Sequence, residues 1–154
     1  MNDAVVAKPQ LAHVGETFSK TLKFSRAEIT AFAQLSGDSN PLHRDVQAAQ
    51  RARYGEIIAS GQHSVAMLMG ILASHFSRRD DGVWREMVCI NTNFAFKEPV
   101  FADQELVFQW KVTSTDWKPR SRSMLVQLDG SARVARGKPV VVARATILVR
   151  EAKG

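Results

Sequence analysis

The stretch that most limits how this chain can fold is Gln62 to Ser77. Val65, Leu68, Met69, Leu72 and Phe76 recur at helical spacing, and Met67 and Ile71 widen that apolar stripe to most of the circumference. A helix that is apolar on nearly all sides reads as a central, buried element rather than a surface one. Ala66, Gly70 and Ala73 add a ridge of small residues that lets another backbone come close. Such a helix needs an apolar wrapper, and the chain that follows has the pattern to supply one.

From Met87 onward the chain alternates as strands do. Val88, Ile90, Thr92, Phe94 and Phe96 alternate up to Pro99. Leu106, Phe108, Trp110 and Val112 form a second set, and Met124, Val126 and Leu128 a third, with Gly130 read as a bulge. After the turn Arg136-Gly137-Lys138-Pro139, Val140 to Val149 is β-branched and nearly continuous, as a central strand is. The spacing predicts a meander of these four strands. Before the central helix, Phe18, Leu22 and Phe24 alternate in a half-exposed strand over 16–24. Ser25-Arg26-Ala27-Glu28 is then a capping box that opens a helix to Leu35, with Ile29, Phe32 and Leu35 on one face and Ser36-Gly37 ending it. Residues 1–12 read as a loose arm, and 77–86 as charged and irregular. The expected fold class is α+β, an antiparallel sheet curled around one apolar helix, in a single domain covering residues 1–154.

The bulk numbers exclude several classes. No stretch reaches the roughly 18 apolar residues of a membrane span, and the N-terminus has an early acid and no long apolar run, so it does not read as a signal peptide. Cys89 is the only cysteine, which rules out an internal disulfide and a thiolate metal cage and suits a cytoplasmic setting. Cys89 itself reads as a packing residue of its strand. The formal charge is +6, but the cations are scattered rather than laid in a stripe with aromatics, so a small polyphosphate ligand suits them as well as a nucleic acid does.

Chemistry concentrates in Ser36-Gly37-Asp38-Ser39-Asn40-Pro41-Leu42-His43-Arg44-Asp45. Asp38 and His43 lie five residues apart across a turn anchored by Asn40-Pro41, so both side chains can converge on one water and share acid and base work. The same residues also suit plain turn chemistry. Asp45 caps a short helix that stops at Gly55. Gly61 opens the central helix behind Ser60, so its N–H and that of Gln62 lack intrahelical partners and sit at the positive end of the helix. A missing side chain there lets a substrate carbonyl approach; the alternative is an ordinary tight turn. His63 can line a pocket, His75 caps the helix end or is exposed, and His13 lies in the arm. No His/Cys/carboxylate set has metal-ligand spacing.

Phe32 to Asp45 resembles, nearly throughout, the hydratase motif of the MaoC-like dehydratases, close to the (R)-specific enoyl-CoA hydratases. Ile58-Ala59-Ser60-Gly61 is similar to the start of that family's central helix, with Ser60 where many members have histidine. Phe96-Lys97-Glu98-Pro99-Val100-Phe101 resembles the later strand motif, while Asp103-Gln104 departs from the Gly-Asp turn that usually follows it. The resemblance spans roughly residues 15 to 150 and implies a hot-dog fold, a homodimer or dimer of dimers, and reversible hydration of a trans-2-enoyl thioester to an (R)-3-hydroxyacyl thioester. It implies that Asp38 and His43 hold the water, that the Gly61 N–H, with Gln62 beside it, polarises the thioester carbonyl, and that Asn40 and Pro41 fix the loop. Coenzyme A enters as part of the substrate, with no separate cofactor, no metal, no nucleic acid and no membrane. If the excursion over 41–55 folds across the open side of the sheet, it roofs a tunnel whose mouth offers Arg44, Arg78 or Lys97 to CoA phosphates. A relative's pocket serine falls at Met69 here, so chain-length preference does not carry over. A hot-dog thioesterase and a non-catalytic acyl-thioester binding module stand as alternatives.

Overall fold

The computed structural model describes residues 9–152. In chain order the elements are β1 (Thr17–Leu22), α1 (Arg26–Leu35), α2 (Val46–Arg51), α3 (Gly61–Ser77), β2 (Arg85–Phe96), β3 (Leu106–Lys118), β4 (Ser123–Val134) and β5 (Pro139–Glu151), with 3-10 turns at Pro41–His43 and Pro119–Ser121. The strands form one antiparallel sheet in the order β1-β3-β4-β5-β2. The sheet packs on α3, as the sequence leads one to expect, and this is the hot-dog arrangement.

The inner face of the sheet is built by alternation. Leu106, Phe108, Trp110 and Val112 of β3, Met124, Val126 and Leu128 of β4, and Ile147 and Val149 of β5 are all essentially buried. They meet Leu68, Leu72 and Phe76 of α3, which are fully buried and recur one turn apart. Each of those side chains stabilises the fold by about 1.5–3 kcal/mol through apolar burial. The Trp110 indole N–H donates to the Leu68 carbonyl oxygen at 2.8 Å, which ties the middle of the sheet to the middle of the helix.

Several details depart from the sequence reading. The meander holds only for β3, β4 and β5; β2 pairs with β5, not β3, and forms an edge of the sheet. A register shift between Cys89 and Asn91 makes Ile90 an extra residue, which reverses the alternation along β2. Met87 and Phe94 therefore pack on the core, while Val88, Ile90 and Phe96 are more than half exposed. Cys89 is exposed on that edge rather than packed. Gly130 makes no bulge: it sits in regular register opposite Trp110, and the shifts fall at Cys89/Asn91, Val112/Ser114 and Ala132/Arg133.

The helix α3 is less enclosed than its composition suggests, because its small ridge, Ala66, Gly70 and Ala73, faces out with Gln62 and Ser74. Leu35 is 86% exposed, and Ala33 takes the inner position of α1 with Ile29. The capping box forms, with the Glu28 N–H donating to Ser25 Oγ at 3.1 Å and the Ser25 N–H to Glu28 Oε2 at 2.7 Å. Phe24 is buried just beyond β1, which ends at Leu22. Of the expected arm, residues 1–8 lie outside the described residues, but Leu11 and Ala12 are buried in the core and the Arg85 guanidinium donates to the Leu11 carbonyl at 3.0 Å. The short helix after Asp45 ends at Arg51, before Gly55.

Candidate active site

The loop that carries Asp38 is set by the end of α1. Gly37 adopts a left-handed φ of 71°, and the Asp38 N–H reaches back to the Ala33 carbonyl at 2.8 Å while the Gly37 N–H reaches Gln34 at 3.2 Å. This Schellman closure turns the chain sharply and presents Asp38. Asp38 Oδ1 then accepts the Asn40 N–H at 2.9 Å, and Asn40 Oδ1 accepts the Leu42 N–H at 3.1 Å, capping the turn that starts with Pro41. Asp45 closes the relay by accepting from Gln47 and Ala48. Asn40 and Pro41 thus shape the loop.

His43 is 6% exposed. Its Nδ1 lies 2.7 Å from the Ile58 carbonyl oxygen and its Nε2 3.6 Å from Asp38 Oδ2. The loop and the segment before α3 hold each other twice, since the Ile58 N–H also donates to the Leu42 carbonyl at 3.2 Å. Ile58 bridges to Phe101, and the Ala59 N–H donates to the Val100 carbonyl at 2.8 Å. One short backbone stretch therefore fixes the imidazole and delivers Ser60 and Gly61 to the start of α3.

Beside this stretch lies a cavity of about 460 Å³. Its polar wall is His43, Ser60, Gly61, Gln62 and Ser64; Tyr54, Phe96, Val100 and Val141 give it apolar surface. Among the described residues the Gly61 and Gln62 N–H groups meet no acceptor, as expected of the first turn of a helix. A Cβ on residue 61 would stand 2.8 Å from Phe96 Cε1, so glycine is what lets this ring and this backbone meet. Tyr54 comes from the end of the 41–55 excursion, which thus borders the cavity.

The remaining candidates separate. Lys97 lines the cavity, while Arg44 is exposed and does not. Arg78 stands at the other end of α3, about 25 Å along the helix from Gly61 at 1.5 Å rise per residue, and bonds Asp81 at 3.0 Å; it is no part of the cavity mouth in this chain. His63 is stacked between Phe24 and Phe32, at ring distances of 3.9 and 4.4 Å, rather than facing the cavity, and burial lowers its pKa against a smaller opposing pull from Glu28. His75 is neither a cap nor exposed: it bonds Glu16 at 2.6 Å and stacks on Phe18 at 3.7 Å. Burial lowers the His75 pKa, partly offset by the Glu16 hydrogen bond. Partial desolvation by its neighbours pushes the thiol of the otherwise exposed Cys89 up. Among the described residues no group of three or more His, Cys, Asp or Glu suits a metal, and no helix is long and apolar enough to cross a membrane.

Tyr54, Phe96, Val141 and Ser64 escaped the sequence reading as lining residues. The Phe96-Lys97-Glu98-Pro99 motif held a signal for Phe96, and Tyr54 belongs to the 41–55 excursion; Val141 arrives through the pairing of β5 with β2, opposite Phe96, which no local pattern announces.

A sheet wrapped on one helix is the fold of the MaoC-like domain, whose family pattern matches residues 10–132. The chain belongs to this family, one of hydratases and dehydratases. Among curated proteins it is 28% identical to the (R)-specific enoyl-CoA hydratase of Aeromonas caviae over 86% of this chain and 96% of that one. It is 29% identical to the mitochondrial 3-hydroxyacyl-[acyl-carrier-protein] dehydratase of Arabidopsis thaliana over 66% of this chain and 57% of that one, so it spans little more than half of that relative. Among solved structures, the (R)-hydratase of A. caviae involved in PHA biosynthesis superposes with a TM-score of 0.77 at 26% identity, covering 94% of this chain and all of that one.

Proposed function

We propose that the protein is a hydro-lyase that adds water reversibly to a trans-2-enoyl thioester, giving a 3-hydroxyacyl thioester of (R) configuration, with coenzyme A as the thiol. The observation that carries this reading is the juxtaposition of the half-buried Asp38 and the buried His43, with the imidazole anchored from behind on Ile58, beside a cavity bounded by the free N–H groups of α3. The (R) outcome and the CoA thiol draw on the likeness to the A. caviae hydratase.

The chemistry follows from the hydrogen bonds. A carbonyl oxygen only accepts, so His43 Nδ1 carries the hydrogen and Nε2 presents its lone pair. One water can touch both Nε2 and Asp38 Oδ2, which are 3.6 Å apart. As the water oxygen bonds Cβ, its proton passes to Nε2, while Asp38 holds the other hydrogen and orients the molecule. Electron density moves from the Cα–Cβ double bond onto the thioester oxygen, which Gly61 and Gln62 stabilise with their N–H groups. The imidazolium then returns its proton to Cα, so that one water has been added and the enzyme is restored. Lys97 in the cavity lining, and Arg44 next to His43 in the chain, are the cations proposed for the CoA phosphates.

The β2 edge leaves its backbone unpaired and exposes Val88 and Ile90, so a second copy pairing edge to edge is the assembly we propose. Sedimentation should give twice the 17.1 kDa chain mass, and a monomer would remove this part.

The deciding experiment incubates the protein with crotonyl-CoA. Loss of the conjugated enoyl absorbance without release of free thiol is the expected result. Release of thiol would replace this reading with a thioesterase, and binding without either change would replace it with a binding module.

A further inference from the structure

The proposed hydration leaves Ser60, a buried polar residue of the cavity, without a task. Ser60 is 3% exposed and lines the cavity beside His43 and Gly61. It holds the N-cap position of α3, where a serine hydroxyl ordinarily accepts an N–H from the first turn. Here it makes no such bond, and the His63 N–H goes to the Ser60 backbone carbonyl at 3.1 Å instead. Among the described residues Ser60 Oγ has no hydrogen-bond partner. The contrast within the chain is direct, because Ser25, at the N-cap of α1, forms its full capping box. A buried hydroxyl without a partner is uncommon in native proteins and requires a reason.

The surroundings restrict what that reason can be. An O–H group needs an acceptor. The neighbouring groups at the start of α3 are themselves donors, the N–H groups of Gly61 and Gln62. Ser60 therefore makes, with Gly61 and Gln62, a run of three consecutive donor-bearing residues in the cavity lining, to which Phe96 and Val141 add apolar surface. The ligand that completes such a lining brings an acceptor oxygen to these donors, in a cavity that also holds Lys97 and Glu98. In an acyl thioester that oxygen is the carbonyl.

We infer that the Ser60 hydroxyl is a substrate-contacting donor, which shares the thioester carbonyl oxygen with the Gly61 N–H. This rests on the hydro-lyase reading only for its kinetic consequence: there the same oxygen gains charge as water adds, and the hydroxyl strengthens its bond as that happens. The contact itself needs only that an acyl thioester binds. The backbone donors alone would leave the oxygen with donors in one peptide direction; a hydroxyl adds a second direction and rotates to follow the oxygen as it changes from carbonyl to enolate.

The test reads the carbonyl directly. Butyryl-CoA labelled with ¹³C at the thioester carbon cannot be hydrated, and isotope-edited infrared spectroscopy reports its C=O stretch when bound. The wild type should shift this band to lower wavenumber than in water, and Ser60→Ala should lose part of that shift. Ser60→Cys, close in size with a weaker donor, should fall between. Turnover of crotonyl-CoA by Ser60→Ala should drop about 10- to 100-fold, less than the loss of a sole oxyanion donor because the backbone groups remain, with KM changed less than about threefold. The melting temperature of Ser60→Ala should hold or rise, since no bond within the protein is lost. A wild-type band in Ser60→Ala overturns the inference, and so does a lowered melting temperature with band and turnover unchanged, which marks a purely structural serine. No shift in the wild type on binding overturns it as well. A wild type that shifts the band yet never hydrates crotonyl-CoA defeats the hydro-lyase reading alone and leaves the Ser60 comparison decisive.

Discussion

His43 Nδ1 lies 2.7 Å from the Ile58 carbonyl oxygen, on the side of the ring away from Asp38. The tautomer is thereby set by backbone outside the reacting pair, and Nε2 faces the carboxylate with its lone pair free. Asp38→Asn keeps an Oδ1 acceptor for the Asn40 N–H, so the loop should survive while the water loses its anionic partner. His43→Ala removes the proposed base and also the Ile58 anchor. Both should lower initial rates of crotonyl-CoA hydration by at least about 10²-fold, and His43→Ala alone should lower stability, by about 1 kcal/mol. Near-wild-type rates in both variants would leave the proposed chemistry without its groups.

Gly61→Ala tests the approach of the carbonyl. The added methyl would meet Phe96 Cε1 at 2.8 Å and Cζ at 2.9 Å. Phe96 is 54% exposed, so its ring can swing outward at small cost to the fold. The methyl nevertheless stays in the cavity wall where the thioester must come close. Turnover should fall at least about tenfold with the thermal midpoint changed by no more than about 3 °C. Unchanged turnover would mean that the carbonyl lies elsewhere.

These contacts also show how far the sequence could be read. Asp38, Asn40 and Pro41 are legible because the hydrogen bonds that shape the turn, from Asp38 to Ala33, Asn40 to Asp38 and Leu42 to Asn40, span two to five residues and are written in the residue types, whereas the anchor of His43 on Ile58 spans fifteen. Gly61 is legible because a helix start needs no tertiary partner to leave its N–H groups free. What escaped is non-local or depends on counting. The pairing of β2 with β5 joins segments some fifty residues apart, and the one-residue bulge at Ile90 exchanges the faces of that strand without altering its composition. His63 and His75 read as surface or pocket histidines because their stacking partners, Phe24 and Phe32 in one case and Phe18 in the other, come from distant elements. The unsatisfied hydroxyl of Ser60 is invisible in sequence for the opposite reason: serine at an N-cap is the expected residue, and only in the fold does it fail to cap.

Two of the buried histidines, His63 and His75, should give the fold an acid weakness. Burial lowers the folded pKa of both His63 and His75 below 6.5. Below that value the unfolded chain takes up protons that the folded protein refuses, so stability rises with pH across the window under 6.5 and is lost as pH falls through it. The thermal midpoint should therefore drop between pH 7 and pH 5. His63→Phe keeps a ring between Phe24 and Phe32 and removes the titrating group, whose Nδ1 has no partner among the described residues. It should match or exceed the wild type at pH 7 and lose less on acidification. Parallel melting curves for the two proteins from pH 7 to pH 5 would clear His63 of the effect.

The second close approach in the fold, Gly130 against Trp110, should behave in the opposite way to Gly61. A Cβ on Gly130 would lie 2.6 Å from Trp110 Cζ3 and 2.7 Å from Cε3. Unlike Phe96, Trp110 is fully buried and its N–H is bonded to the Leu68 carbonyl, so the ring cannot yield without releasing the tie between β3 and α3. Gly130→Ala should cost about 1–3 kcal/mol, visible as a fall of several degrees in the thermal midpoint, while the Asp38–His43 loop and its chemistry stay intact. Trp110→Phe should also destabilise, through the lost hydrogen bond and the space left by the smaller ring. That space is what the new methyl needs. The double variant should therefore lose less than the two single losses combined, by at least about 0.5 kcal/mol in a denaturant-based double-mutant cycle. Strict additivity would show that the strain in Gly130→Ala arises from the backbone of β4 and not from the tryptophan.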